Sequence, residues 1–203
     1  MSTALIWHER LMWHDTGQLF GPAGEHHWFE PYPHLESTDG KRRIKNLIDA
    51  SGLAKSLRIM SPEPVTRDQV MSVHTAEHWE HIAALSAQSR GGEGTVNSTT
   101  TPVPPGGLDN FLLSAGAAVT AVNQVMESQV KNAYALCRPP GHHAQTERVM
   151  GFCYFNNAAI AARHAQKQFN IERIAFVDID VHHGNGAEAV SYTHLTLPTT
   201  PYV

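Results

Sequence analysis

Residues 133–186 decide the fold. They open on Ala133-Tyr-Ala-Leu136, pass through a loop and an alanine-rich stretch at about 156–169, and reach Ile174-Ala-Phe-Val177. Short apolar runs separated by a helical segment predict an α/β fold with a buried parallel sheet. In such sheets ligands bind beyond the carboxyl ends of the strands. Two histidine-bearing stretches fall there: Arg138-Pro-Pro-Gly-His-His-Ala144 after the first run, and Val177-Asp-Ile-Asp-Val-His-His-Gly-Asn-Gly186 at the end of the second.

Toward the N-terminus the same alternation continues. Leu5-Ile6-Trp7 and Leu57-Arg-Ile-Met60 read as strands, and residues 14–40, rich in Gly, Pro and His, as an irregular loop. Lys41 to Ser51 reads as a helix with Ile44, Leu47 and Ile48 on one face and Gly52 as its C-terminal stop. Thr66-Arg-Asp-Gln69 matches a capping box, and Thr75 caps a further helix. Residues 89–107 carry loop signals throughout. The segment at about 108–128 is helical, with small residues on both faces that predict packing between other elements.

Composition narrows the function. The chain has 203 residues, 15 Lys plus Arg, 19 Asp plus Glu and a formal charge of −4, with 41% hydrophobic residues. That balance excludes wholesale disorder and advertises no basic face for nucleic acid. Two cysteines, Cys137 and Cys153, cannot form a disulfide scaffold or a Cys-rich zinc finger. No run approaches the roughly 18 apolar residues of a membrane span, and the N-terminus lacks the pattern of a signal peptide. A cytoplasmic setting is expected. The 14 histidines stand out, because histidine is the commonest metal ligand and the usual proton carrier near neutrality.

Side chains of an extended chain alternate with period 2, so Asp178, Asp180 and His182 share a face if the backbone stays extended. Two carboxylates and an imidazole are ligands suited to Zn²⁺ or Mn²⁺. Uncompensated burial of the two like charges would be expensive. Gly184 and Gly186 then permit a tight turn. A lone Asp-x-Asp is often a turn and a lone His-His pair is usually surface, but the two motifs at neighbouring strand ends point to one site. His26, His27 and His34 read as loop or rim residues. His74, His78 and His81 read as a partly exposed helix face, and Cys153 as a packed, reduced thiol. Glu93, in the Gly-rich loop, reads as solvated surface, although it could also meet a cationic substrate.

Three stretches, R-P-P-G-H-H-A (138–144), G-F-C-Y-F-N-N-A-A-I-A-A (151–162) and V-D-I-D-V-H-H-G-N-G (177–186), resemble the zinc-dependent histone deacetylase superfamily. The likeness is to its bacterial class II members, the deacetylase-like and acetylpolyamine amidohydrolases. Lys41-Arg-Arg-Ile44 and Val73-His-Thr-Ala-Glu-His78 look like the same branch. The resemblance implies an arginase/deacetylase-like open parallel sheet with helices on both faces, and hydrolysis of the acetyl amide of an acetylated protein lysine or an acetylpolyamine. It implies that Asp180 and His182 are two of three zinc ligands and that His142 and His143 are the paired active-site histidines. Asp178 would orient His142 and belong to a structural K⁺ site that includes main-chain carbonyls around Asp178, Asp180 and His182. Asn185 would orient His143, Gly151 would bind substrate backbone through its carbonyl, and Phe152 would line the acyl-chain tunnel. Asn185 resembles class II, whereas Asp178-Ile-Asp180 departs from the Asp-Trp-Asp common there.

The residue types suit the chemistry. Amide hydrolysis needs an activated water and a stabilised carbonyl oxygen, both of which zinc supplies, together with an imidazole to carry the proton. An arginase-type site with two Mn²⁺ ions is an alternative, as is a catalytically dead interaction module. Residues 1–190 read as the N-terminal part of a deacetylase-like domain whose C-terminal part is missing. Residues 191–203, Ser-Tyr-Thr-His-Leu-Thr-Leu-Pro-Thr-Thr-Pro-Tyr-Val, read as foreign to it. The third zinc ligand, an Asp, and the Tyr that polarises the substrate carbonyl map to no residue of the chain. Weak zinc binding, little activity and an exposed edge strand are expected.

Overall fold

The computed structural model describes residues 2–17, 33–88 and 101–194. His26, His27, Glu93 and residues 195–203 lie outside them. Three strands, β1 (Thr3–Ile6), β2 (Leu57–Met60) and β3 (Asn132–Ala135), form an all-parallel sheet in the order β2-β1-β3. Thr3 is in register with Leu57 on one side and with Asn132 on the other. Parallel neighbours need long crossovers, and the helices fill them: α1 (Asp39–Ala50), α2 (Arg67–Val70), α3 (Ala76–Ser86) and α4 (Gly107–Met126). The helices α5 (Asn157–Phe169) and α6 (Asn185–His194) follow β3. No helix among the described residues is long and apolar enough to cross a membrane.

Period-2 alternation in β1 explains why both faces are covered. Ala4 and Ile6 pack with Ala117, Ala121 and Val125 of α4. Leu5 points the other way and packs with Ile48 of α1 and Leu136. Burying such a side chain contributes about 1.5–3 kcal/mol. The opposite side of α4 puts Phe111, Ala115 and Val119 into the largest core cluster with Val70, Ile82, Tyr154, Phe155 and Ile160. The small residues on both faces of α4 are accounted for by this sandwiching. Gly116 is the closest approach: a Cβ there would run into the carbonyl of Glu63.

Local signals are realised at several ends. Thr66 and Gln69 form the reciprocal capping box, Thr75 accepts from the His78 amide, and Gly52 is left-handed with φ 79° after α1. The apolar face read for α1 is only partly used, since Ile48 is buried while Ile44 and Leu47 are exposed.

One predicted strand does not form. Residues 171–179 carry no secondary structure, and Val177, Ile179 and Val181 are 86%, 93% and 93% exposed. A continuous apolar run is what a strand buried on both faces requires. Among the described residues, nothing pairs with either of its edges. Among the described residues β3 pairs only with β1, so the sheet ends at β3 and not at the strand expected over 174–177. Helix α6 begins at Asn185 and runs through to His194.

Candidate active site

The histidine loop leaves the end of β3 and is pinned from below. Arg138, 1% exposed, donates to Glu36, to the carbonyls of Met12, His14 and Glu36, and to Thr16 Oγ1. Its Nε lies 2.8 Å from Glu36 Oε2. All five guanidinium donors can thereby be satisfied in an interior where an unpaired charge would be costly. The Pro139 carbonyl accepts from Ser114 Oγ of α4 at 2.7 Å and from Asn157 Nδ2 of α5 at 3.2 Å. Gly141 has backbone neighbours where a side chain would stand, Asn157 N at 2.6 Å and Phe155 O at 2.9 Å from an ideal Cβ.

The two imidazoles lie 4.0 Å apart, centroid to centroid. His142 Nδ1 is 2.9 Å from Asp178 Oδ2, and His143 Nδ1 is 2.6 Å from Asn185 Oδ1. A carboxylate and an amide oxygen only accept, so both rings donate from Nδ1 and each neutral ring keeps its lone pair on Nε2. The hydrogen bond from His142 holds the Asp178 carboxyl below the usual range. The Ala187 amide donates to the His142 carbonyl, tying the start of α6 to the same loop.

Asp180 and His182 are adjacent, but not by the route expected. With no strand alongside, the Asp180 amide donates to Asp178 Oδ1 and the His182 amide to Asp180 Oδ1. These are side-chain turns of the kind Asp forms in loops, and they bend the backbone. The single extended face read for Asp178, Asp180 and His182 is therefore absent: Asp178 turns to His142, while Asp180 Oδ1 meets His182 Nδ1 at 2.9 Å. Hydrogen bonds from the His182 amide and ring hold the Asp180 carboxyl below its ordinary range. The His182 ring is 5.9 Å from that of His143. In chemical type, Asp180 and His182 fit zinc. In number they are one short of the three protein ligands usual at a catalytic site, and no cluster of three ligand-type side chains occurs among the described residues.

Gly151 and Phe152 occupy a tight turn closed by Cys153 N to Met150 O at 2.9 Å and Met150 N to Cys153 O at 3.3 Å. Both central residues have positive φ, 54° and 68°. For Phe152 that conformation costs about 1–2 kcal/mol. Gly151 stands against His143, whose ring would collide with any Cβ there. The Phe152 ring meets His34 edge-on at 4.8 Å. His34 is buried, and its Nδ1 accepts from the Glu36 amide. Burial pushes the Cys153 thiol up to about 12, as befits a packed, unreactive cysteine.

The histidines near α3 correct the surface reading. His74 and His78 are 3% and 4% exposed and stacked at 4.9 Å. His74 Nε2 accepts from the Asn156 amide at 2.9 Å, and its Nδ1 faces the Thr146 carbonyl at 3.3 Å. His78 Nε2 donates to the Tyr154 carbonyl at 2.8 Å. Asn156 caps α5 through its Oδ1 and donates from Nδ2 to the Ala144 carbonyl. These contacts bind the histidine loop to the 150–156 turn. Their only signal in sequence is the Val73–His78 stretch, whose partners are some 70 or 80 residues away.

The histone deacetylase domain family matches residues 34–200. A histone deacetylase-like amidohydrolase of Pseudomonas aeruginosa is 40% identical over 195 residues, covering 94% of this chain and 50% of that protein. A rat protein described as polyamine deacetylase HDAC10 is 32% identical over 197 residues, 94% of this chain and 31% of its own length. The crystal structure of the HDA15 HD domain superposes with a TM-score of 0.80 at 30% identity, covering 94% of this chain and 50% of that one. The chain thus spans about half the length of the bacterial relative.

Proposed function

The chain belongs to the histone deacetylase domain family, and on that premise we propose that residues 138–186 form the proton-handling half of a zinc-dependent amidohydrolase site for an acetylated amine. The observation that carries this reading is the pair of oriented imidazoles, His142 on Asp178 and His143 on Asn185. With Nδ1–H engaged, His143 Nε2 is free to take a proton from an attacking water and return it to the leaving amine. A carboxylate holds His142 and a neutral amide holds His143, so the two rings share one pocket on chemically different partners. Asp180 and His182 would hold zinc, which when bound supplies an acidified water and a Lewis acid for the carbonyl oxygen. Asp178 and nearby main-chain carbonyls would hold a structural K⁺. Phe152 offers a flat apolar wall to the methylenes of a lysine or polyamine, and the Gly151 carbonyl an acceptor for substrate N–H. Residues 1–190 are read as the N-terminal part of the domain and 191–203 as foreign to it.

With two zinc-ligand side chains, the 203-residue chain is expected to bind zinc weakly and to release little or no acetate from acetyl-lysine peptide or acetylspermidine. Zinc titration by calorimetry, on the chain and on Asp180→Ala/His182→Ala, tests the ligand pair; equal affinity of the two would remove it. Full turnover abolished by EDTA would refute the expected inactivity, and metal binding elsewhere would favour a non-catalytic interaction module.

A further inference from the structure

The Gly151–Phe152 peptide is held in the less favourable of two turn geometries. A two-residue turn with Gly first and an L-residue second is well served by the II′ form, where only the first central residue needs positive φ. Here Phe152 also has positive φ, the requirement of the I′ form. The two forms interconvert by rotation of the central peptide plane. That plane is gripped at both ends: the Phe152 amide donates to Thr101 Oγ1 at 3.2 Å, and the Gly151 carbonyl accepts from Cys153 Sγ at 3.3 Å. Thr101 is fully buried, and the adjacent Pro102 carbonyl accepts from the Tyr154 hydroxyl. The clamp therefore joins the start of the 101–107 segment to the 150–154 turn at two points.

We infer that Thr101 is a positioning residue that locks the Gly151–Phe152 peptide in the I′ orientation, and so sets where the Gly151 carbonyl and the Phe152 ring face. Because a trans peptide is planar, fixing the N–H at one edge fixes the C=O at the other. Release would turn the carbonyl to the opposite side of the turn and relieve the strain at Phe152. The inference rests on the reading that Gly151 and Phe152 face substrate only for its functional meaning; the conformational lock is measurable without substrate.

The test is NMR on the 203-residue chain and two variants. Thr101→Val keeps the shape and removes the acceptor, while Thr101→Ser restores it. In the unaltered chain and in Thr101→Ser, Phe152 should show the strong intraresidue HN–Hα contact of positive φ. In Thr101→Val that contact should weaken and the sequential Gly151 Hα to Phe152 HN contact should strengthen, as in a II′ turn. A folded Thr101→Val chain that keeps positive φ at Phe152 overturns the inference. Hydrogen exchange on the unaltered chain gives an independent reading. The Phe152 amide should exchange at least about 100-fold more slowly than an open amide, and unprotected exchange overturns the lock even if Thr101→Val does not fold. Loss of acetyl-amide hydrolysis as a function would leave these readings unchanged.

Discussion

The Nδ1 atom of His143 faces the Oδ1 atom of Asn185 at 2.6 Å, so a neutral amide, not a carboxylate, fixes the proton on this ring. Replacing Asn185 by Leu should abolish the slowly exchanging Nδ1–H signal of His143 and leave a tautomer mixture, observable by ¹⁵N NMR. The loss of one part-buried hydrogen bond should cost about 1 kcal/mol of stability in urea unfolding. A His143 ring that keeps its Nδ1 proton in the variant would show that something other than Asn185 orients it.

Arg138 and Glu36 are 1% and 3% exposed at their side chains. Arg138→Met should destabilise the fold by about 3–5 kcal/mol, because Glu36 is left as a buried charge without its main partner. Arg138→Met/Glu36→Gln should cost less than the sum of the single changes. Denaturant melts of the four proteins in the cycle measure the coupling, and additivity would contradict the network.

Acid should unfold the chain through its buried histidines. Burial, then the charge of Arg138 and the neighbouring His34, holds His14 down to about 3, and burial likewise lowers His78. Unfolding releases both to ordinary values near 6.5, so between pH 6.5 and about 3 the unfolded chain binds more protons. Stability is therefore fully present above pH 6.5 and falls as pH falls, by up to about 1.4 kcal/mol per pH unit for each histidine. Urea midpoints at pH 7 and pH 5 give the slope. A slope in His14→Leu equal to the parent's would remove His14 as a cause.

Two glycines should respond in opposite senses. A Cβ on buried Gly186 would collide with the Ala144 carbonyl oxygen and stand 2.5 Å from the His143 carbonyl carbon, so Gly186→Ala should push α6 off the histidine loop and cost about 1–3 kcal/mol. Gly40, in the first turn of α1, has nothing within 4 Å of such an atom and an ordinary φ. Gly40→Ala should stabilise the chain by about 0.5–1 kcal/mol. Thermal melts of the two variants decide both signs.

What the sequence made legible was mainly local. The capping box at Thr66, the N-cap at Thr75, the stop at Gly52 and the two-faced packing of α4 follow from residues within a turn or two of one another. The pairing of His142 with Asp178 and of His143 with Asn185 matches what the family resemblance implies. Long-range partners were not legible. His74 and His78 look like a polar helix face until Asn156 and Tyr154 are brought against them, and Thr101 carries no motif at all. The strand read at 174–177 failed for the same reason, since an apolar run states a preference that only a neighbouring strand can satisfy.

That exposed run, Val177 to Val181, has a consequence for biosynthesis. Chains are made from the N-terminus at roughly 5–20 residues per second, so this segment emerges after the sheet and helices that precede it. Its aliphatic side chains, Val177, Ile179 and Val181, stand bare beside the histidine loop, with no strand to cover them among the described residues. An apolar run left bare in this way is what a chaperone binds on a nascent chain until a neighbouring element covers it.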